Sequence, residues 1–257
     1  MYFSKEAIQK HLTHPNLTVE VYDSVTSTNT ILKQRGSKGA PHGLILAAKH
    51  QTAGRGRMGR SFYSPDESGV YFSILLRPKL SPSDSLLITT AAAVACARVL
   101  ERISQKNAEI KWVNDIYMDG RKVCGILTEA AFSVGKIDYA VLGIGINLAP
   151  PQNGFPEDIR QKAGSVFNYN TNDMRSLVVA EIINEFLTIY ETIENRTFIE
   201  EYRNRSMLDG MEINVLKSDT VTPATALYID QDLTLVVRYK DGKIEHLSSG
   251  DVSIAKQ

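Results

Sequence analysis

Two strand-like runs, Leu44 to Lys49 and Val70 to Leu76, bracket the segment Gln51 to Arg60, QTAGRGRMGR, and no helix-forming stretch lies between them. That arrangement narrows the folds open to the chain. The segment satisfies Gly-x-Gly-x-x-Gly at Gly54, Gly56 and Gly59, but a dinucleotide-binding turn needs a helix directly after it and an acidic residue roughly 20 positions on. Here Ser61 to Pro65 is turn-like, Val70 opens a strand, and the position where the acid should stand is Lys79. A Rossmann fold is set aside. What remains is a loop with three glycines, three arginines and no acid. Glycine lets backbone N–H groups approach a ligand, while Arg55, Arg57 and Arg60 carry permanently charged forks that match phosphate or carboxylate oxygens. The same composition also suits a solvated, flexible turn.

The charge of the whole chain does not explain this cluster. Across 257 residues, 29 basic side chains balance 29 acidic ones, so nothing global recommends a nucleic-acid or membrane-surface role. The only two cysteines, Cys96 and Cys124, sit in apolar contexts without metal-ligand spacing, which suggests buried thiols in a reducing compartment. The N-terminus, MYFSKEAIQKHL, is charged and amphipathic and lacks the pattern of a signal peptide, so a cytoplasmic location is expected. The longest apolar run, Leu86 to Leu100, is short and carries Thr89 and Thr90, so it reads as a buried helix and not as a membrane span.

Along the chain, Val19 to Tyr22 reads as a strand and Thr26 to Arg35 as a helix with Ser27 or a neighbour as cap and Gly36 as its end. LSPSDSLLITTAAAVACARVLERI has Ser81 or Ser83 as cap candidates, Pro82 near the first turn and a long alanine-rich face, so it is a helix. Glu109 to Trp112 and Lys122 to Ala131 read as strands joined across Met118-Asp119-Gly120-Arg121, whose Asp-Gly pair signals a hairpin. Tyr139 to Leu148 is a further strand, and Asn172 to about Arg203 has the apolar spacing of one or two helices. Beyond Gly210, MEINVLK, ATALYID, LTLVVRY and KIEHLSS are short alternating strands with a turn at Asp241-Gly242. The pattern predicts an α+β catalytic domain over 1–207 and a small C-terminal β domain over 208–257.

A second polar cluster lies at KWVNDIYMDGRK, Lys111 to Lys122, and its composition suits an adenine and ribose site. Trp112 fits a base cover and core packing equally well. Asn114 and Asp115 can bond a ribose or the backbone of the turn itself. Lys122 leads into the apolar VCGIL and must either reach water along its stem or meet an anion.

Taken together these residues resemble the biotin protein ligases. Ser27-Thr28-Asn29 matches that family's Ser-Thr-Asn element and GRGRMGR its Gly-Arg-Gly-Arg-x-Gly-Arg loop. KWVNDIYMDGRKVCGILTE matches its Lys-Trp-Pro-Asn-Asp segment with the following lysine and Gly-Ile-Leu strand, and GIGIN, Gly143 to Asn147, completes the set. The detailed match covers about Ser24 to Leu148, and Ser249-Gly250-Asp251 resembles the terminal domain more loosely. The resemblance implies a mixed-sheet, class II synthetase-like catalytic domain with a small C-terminal SH3-like β-barrel. It implies a two-step, AMP-forming reaction: biotin and ATP give biotinyl-5′-adenylate and pyrophosphate, and a lysine of a biotin carboxyl carrier protein then takes the biotinyl group. Biotin's carboxylate is itself the nucleophile, so such a protein chiefly juxtaposes and neutralises two anions.

By this similarity Lys122 and Arg57 are the catalytic residues. The biotin set is Ser27, Thr28, Asn29, Gln51, Arg55, Gly56, Arg57, Lys122, Gly125, Leu127 and Gly143, with the polar members suited to a ureido ring that would be costly to bury unpaired. Gly125 to Leu127 and Gly143 to Ile146 would line the aliphatic tail. The ATP and adenylate set is Arg55, Arg57, Arg60, Trp112, Asn114, Asp115, Lys122 and Asn147, with Mg²⁺ arriving with ATP and Asp115 as its candidate protein contact. Val113 replaces the family's usual proline, and SIAKQ lacks an arginine that some relatives carry after the terminal strand.

Some relatives are also repressors with an N-terminal helix-turn-helix domain, but only about 26 residues precede Ser27 here, without a basic face, so no DNA binding is expected. A lipoate or octanoate ligase or transferase is the rival enzyme, and a non-catalytic biotin-binding module the rival of another class. Expected partners are the carrier domain and the small molecules, with no membrane, and the protein a monomer or weak homodimer.

Overall fold

The computed structural model describes residues 3–66, 68–169, 171, 174–217 and 220–255. A short helix, α1 (Lys5–Gln9), precedes strand β1 (Thr18–Val25), helix α2 (Thr28–Ser37) and strand β2 (Leu44–Gln51). Strand β3 (Gly69–Leu76) follows the glycine-arginine loop, and the 20-residue helix α3 (Ser85–Ser104) follows β3. Next come β4 (Glu109–Lys111), β5 (Asp115–Met118), β6 (Arg121–Ser133) and β7 (Lys136–Asn147), then helices α4 (Arg175–Tyr190) and α5 (Ile199–Asn204). Strands β8 (Glu212–Lys217), β9 (Thr220–Ile229), β10 (Leu235–Tyr239), β11 (Ile244–Leu247) and β12 (Asp251–Ile254) close the order.

The first seven strands form one mixed sheet in the order β1-β2-β3-β7-β6-β5-β4. Only β1 and β2 run parallel, joined through α2, and the remaining pairs are antiparallel. Side chains alternate between faces with period two, and here the two faces differ sharply. Ile45 and Ala47 of β2, Phe72 and Ile74 of β3, Ile126 of β6 and Leu142 and Ile144 of β7 are buried in the main core, to which α3 and α4 contribute. On the opposite face, Leu44, Leu46, Leu75 and Val141 pack against Leu32 of α2 in a smaller core. That second face continues into Ser73, Gly143, Leu127, Gly145 and Gly125, where the apolar cover ends. β8 to β12 form a separate five-stranded antiparallel sheet in the order β11-β10-β9-β8-β12.

Several local expectations are corrected. Gly36 does not end α2. It lies inside the helix, at a point where a side chain would collide with the Tyr139 ring at 2.7 Å, so its smallness serves close packing. Ser81 caps the short 3₁₀ turn Pro82–Asp84 instead of α3, and Asp84 stands at the N-cap of α3. Strand β5 turns the expected hairpin into a three-stranded meander, and β12 adds a strand that alternation did not reveal. The helical region is two α-helices, and its expected start at Asn172 lies outside the described residues, as do Lys256 and Gln257 of SIAKQ. The turn at Asp119-Gly120 is present, with both residues at positive φ. The bond between Trp112 and Val113 is a cis peptide. Among the described residues, no helix is long and apolar enough to cross a membrane.

Candidate active site

Helix α2 begins with backbone N–H groups that need acceptors. Ser27 occupies the N-cap, but its hydroxyl makes no capping bond. Gln51, at the end of β2, does this work from a distance: its Oε1 accepts from the Thr28 N–H at 2.9 Å and from the Thr28 hydroxyl at 3.2 Å. Its Nε2 donates to Ser64 Oγ at 3.0 Å. The carboxamide is thereby committed on both sides.

Beneath α2, Ser73 is the lone serine of a strand otherwise built of glycine, aliphatic and aromatic residues, fully buried, with its Oγ 2.7 Å from Thr28 Oγ1 and 2.6 Å from Asn29 Oδ1. Asn29 Nδ2 donates to Glu129 Oε2 at 3.1 Å and to the Leu127 carbonyl at 3.3 Å. This amide lies directly over Gly143, where an added Cβ would fall 1.9 Å from Asn29 Oδ1. Glycine at 143 therefore makes room for Asn29. Gly125 and Gly145, paired across β6 and β7, serve the same purpose for the Phe62 ring.

The arginine loop closes on itself through Gly56 N–H to the Arg60 carbonyl at 2.7 Å and Phe62 N–H to the Gly54 carbonyl at 2.9 Å. The 3₁₀ turn Arg57–Gly59 contains its third glycine and the next element is strand β3, so the rejection of a dinucleotide turn agrees with the geometry. Each arginine has a different anchor. Arg55 lies 3.2 Å from Glu129 Oε1, which also receives Lys33 Nζ at 2.7 Å. Arg57 donates to Asn114 Oδ1 at 3.2 Å and to the Gly250 carbonyl at 3.0 Å, and burial pushes its guanidinium pKa down against the charges of Asp251 and Asp115. Arg60 pairs with Asp251.

Lys122 enters from β6. Its backbone is pinned by the segment after β7, with its N–H donating to the Lys162 carbonyl and its carbonyl accepting from Gly164 N–H, both at 2.8 Å. Its Nζ lies 2.7 Å from Asp115 Oδ1 and 6.0 Å from the Phe62 ring centroid. Apart from that ion pair, Asp115 Oδ1 is buried without a hydrogen-bond partner. Asn114 braces the meander by donating Nδ2 to the Ile126 carbonyl at 2.7 Å.

Burial pushes the Glu129 carboxyl up, but hydrogen bonds from Lys33 and Asn29, with the charges of Lys33 and Arg55, outweigh it and hold the pKa below the ordinary glutamate value. Burial also raises the thiol of Cys124, which sits beside Cys96 with no exposure, so neither cysteine is suited to nucleophilic work.

One cavity gathers these groups. Ser27, Thr28, Asn29 and Gln51 line it together with Arg55, Gly56, Arg57 and Arg60, and with Asn114, Asp115 and Lys122. Gly125, Leu127 and Gly143 form its floor. Trp112 and Asn147 are not brought to it. The indole is 3% exposed and donates to the carbonyl of Leu233, in the turn between β9 and β10, at 2.9 Å, while Asn147 Nδ2 donates to the Gly164 carbonyl at 3.0 Å. Reading the sequence alone missed Ser73, Phe62 and Glu129. The signals were a serine amid VYFSILL, an aromatic just past the loop, and an acid two and four places beyond Leu127 and Gly125 on the same strand face.

A concave polar site on an α+β fold, with a cationic loop over a floor of glycines, has the form of a small-molecule binding site. A model of the biotin/lipoate A/B protein ligase family matches residues 21–147. The biotin–[acetyl-CoA-carboxylase] ligase of Mycobacterium tuberculosis is 30% identical over 207 residues, covering 77% of this chain and 74% of that protein. The chain belongs to the biotin/lipoate A/B protein ligase family. The bifunctional ligase/repressor BirA of Bacillus subtilis is 36% identical over 145 residues, a stretch covering 56% of this chain and 45% of that relative. The solved structure of biotin protein ligase from Aquifex aeolicus in complex with biotin and ATP superposes with a TM-score of 0.72 at 26% identity, covering 93% of this chain and 99% of that one.

Proposed function

We propose that this protein activates biotin with ATP to biotinyl-5′-adenylate and transfers the biotinyl group to a lysine of a biotin carboxyl carrier protein. The observation that carries the proposal is the single cavity lined both by neutral hydrogen-bonding groups and by the arginine loop and Lys122. A ureido ring needs acceptors for its N–H groups and donors for its carbonyl. Ser27, Thr28 and Asn29 supply such groups above the Gly143 floor. Gln51, already committed to Thr28 and Ser64, acts by holding the start of α2. The aliphatic tail runs over Gly125 and Leu127 towards Lys122.

Lys122 bridges the biotin carboxylate and the α-phosphate, and must exchange its contact with Asp115 for the two anions as they approach. Charge builds on the phosphoryl oxygens as the carboxylate attacks, and Lys122 and Arg57 stabilise it where it develops. No side chain needs to act as a nucleophile. Arg55 and Gly56 close over the adenylate, Arg60 meets the triphosphate once Asp251 releases it, and Asn114 orients Arg57. Magnesium enters as the companion of the nucleotide phosphates. Among the described residues no cluster of three or more metal-ligating side chains occurs, and Asp115 is the candidate protein contact.

We extend the proposal to the division of the chain. Residues 1–207 form the catalytic domain, of class II synthetase-like type, and 208–257 a small SH3-like barrel docked through Trp112, Arg57 and Arg60. The carrier domain is the macromolecular partner.

The test is pyrophosphate release by purified protein with ATP and either biotin or lipoate, followed by transfer of label to a carrier domain. Turnover with biotin and label on one carrier lysine is expected. Equal turnover with lipoate would sink the ureido assignment, and none with biotin would sink the function.

A further inference from the structure

We infer that Glu129 is a positioning residue that fixes the hydrogen-bond polarity of the ureido end of the site and docks the arginine loop beside it. The inference rests on the biotin reading of that end.

An ionised carboxylate can only accept hydrogen bonds. The edge of the Asn29 amide that faces Glu129 Oε2 at 3.1 Å must therefore be its NH₂, which also satisfies the Leu127 carbonyl. Oδ1 is turned to the other side, over Gly143 and against Ser73 Oγ. Ser73 cannot fix this orientation alone, because a hydroxyl donates or accepts as its neighbours require. Glu129 removes the ambiguity together with the Leu127 carbonyl, which can likewise only accept, and Glu129 is the charged and shorter of the two contacts.

A carboxamide oxygen has two acceptor positions. With Ser73 on one, the other presents a fixed acceptor to the cavity, the polarity that an N–H of a cyclic urea needs and that a disulfide ring does not use. If Asn29 turned over, it would offer a donor there and leave such an N–H unpaired.

The second oxygen of Glu129 does separate work. Oε1 holds Arg55 of the loop at 3.2 Å and Lys33 of α2 at 2.7 Å. One carboxylate thus joins the amide that reads the ring to the loop that covers the ligand. Among the described residues this is the one ion pair of the half-exposed Arg55 side chain, whose backbone bridges to Ser61. The Lys33 hydrogen bond is short, and the carboxylate is largely shielded from water, 14% exposed.

The experiment compares wild-type protein with Glu129→Gln and Glu129→Asp, measuring biotin and ATP binding separately by calorimetry alongside thermal unfolding. Glutamine keeps the size but removes the charge and can face Asn29 with either edge. Its biotin dissociation constant should rise roughly 10- to 100-fold, as expected for losing a charge-assisted contact. ATP affinity should change far less, and the KM for biotin should rise more than kcat falls. Glu129→Asp keeps an acceptor-only group and should recover part of the biotin affinity. A folded Glu129→Gln protein that binds biotin like wild type would overturn the inference, as would equal weakening of biotin and ATP. Should the glutamine variant not fold, the aspartate variant decides: selective weakening of biotin supports the role, and none overturns it. Failure of the wild-type protein itself to bind biotin would overturn the ligand reading beneath it, and that result needs no variant.

Discussion

Lys122 and Asp115 face each other across adjacent strands of one meander, Nζ to Oδ1 at 2.7 Å, and among the described residues the buried oxygen has no hydrogen-bond partner besides this ion pair. The pair lets a carboxylate with little access to water sit at the centre of an anion-binding cavity, because the lysine neutralises it until a ligand arrives. Removing the lysine therefore has two separable consequences.

The first consequence concerns catalysis. Lys122→Ala should lower the rate of pyrophosphate release by about 10²- to 10³-fold, the range seen when one charge-stabilising donor is lost from a reacting centre. The variant should also unfold more readily, by about 1–3 kcal/mol, because Asp115 is left without its partner. Adding Asp115→Asn should recover the stability and not the rate. Recovery of both in urea and activity measurements would place Lys122 outside the chemistry.

Arg57 links Asn114 of the meander to the Gly250 carbonyl of the C-terminal segment. In Arg57→Ala that link is gone, and the adenylate should form slowly or escape. Rapid filtration after mixing with labelled biotin and ATP should find a larger free fraction than with wild type. An unchanged bound fraction would remove Arg57 from retention of the intermediate.

Gly143→Ala places a methyl group where Asn29 Oδ1 now sits. Backbone on both sides is locked in the sheet, so the amide must move. Overpacking of this kind costs roughly 1–3 kcal/mol. Calorimetry should show biotin affinity falling by more than the stability loss explains, while circular dichroism keeps the fold. Wild-type affinity would mean that Asn29 does not contact the ligand.

On the distal side, Arg98 and Arg205 join Glu101, Glu185 and Glu201 where α3, α4 and α5 meet. Burial pushes the carboxyls of Glu101 and Glu201 up, but hydrogen bonds from Arg205 and Arg98, with the Ala108 N–H on Glu101, bring both below their ordinary values. Because the folded pKa lies below the unfolded one, the unfolded chain takes up more protons in acid. The stabilisation is full above the ordinary glutamate pKa of about 4.3 and is lost as pH falls through the folded values. Urea unfolding between about pH 3 and 6 should show this slope, and Glu201→Gln should flatten it. An identical slope in the variant would assign the acid sensitivity elsewhere.

The elements that depend on local signals were readable in advance. The Asp119-Gly120 turn, the alanine-rich α3 and the glycine-arginine loop each carry their own instructions, and the polar set Ser27, Thr28, Asn29 and Gln51 does reach one cavity with Lys122. What escaped depends on register. Ser73, Gly143 and Leu127 lie side by side only because β3, β7 and β6 align them, and Glu129 becomes important only once Asn29 is above it. Gly36 misled because a tertiary contact with Tyr139, not helix termination, explains it. Trp112 was undecided between a base and the core because an indole suits both, and its hydrogen-bond acceptor lies in the turn between β9 and β10, 121 residues away.

That indole is also the only tryptophan in the chain. Its N–H ends on Leu233, in the turn between β9 and β10 of the second sheet, so the fluorescence of the protein comes chiefly from one fluorophore at the seam between two structural units. A spectrum that shifts red while the far-ultraviolet dichroism is unchanged would record the seam opening by itself, without any label being attached.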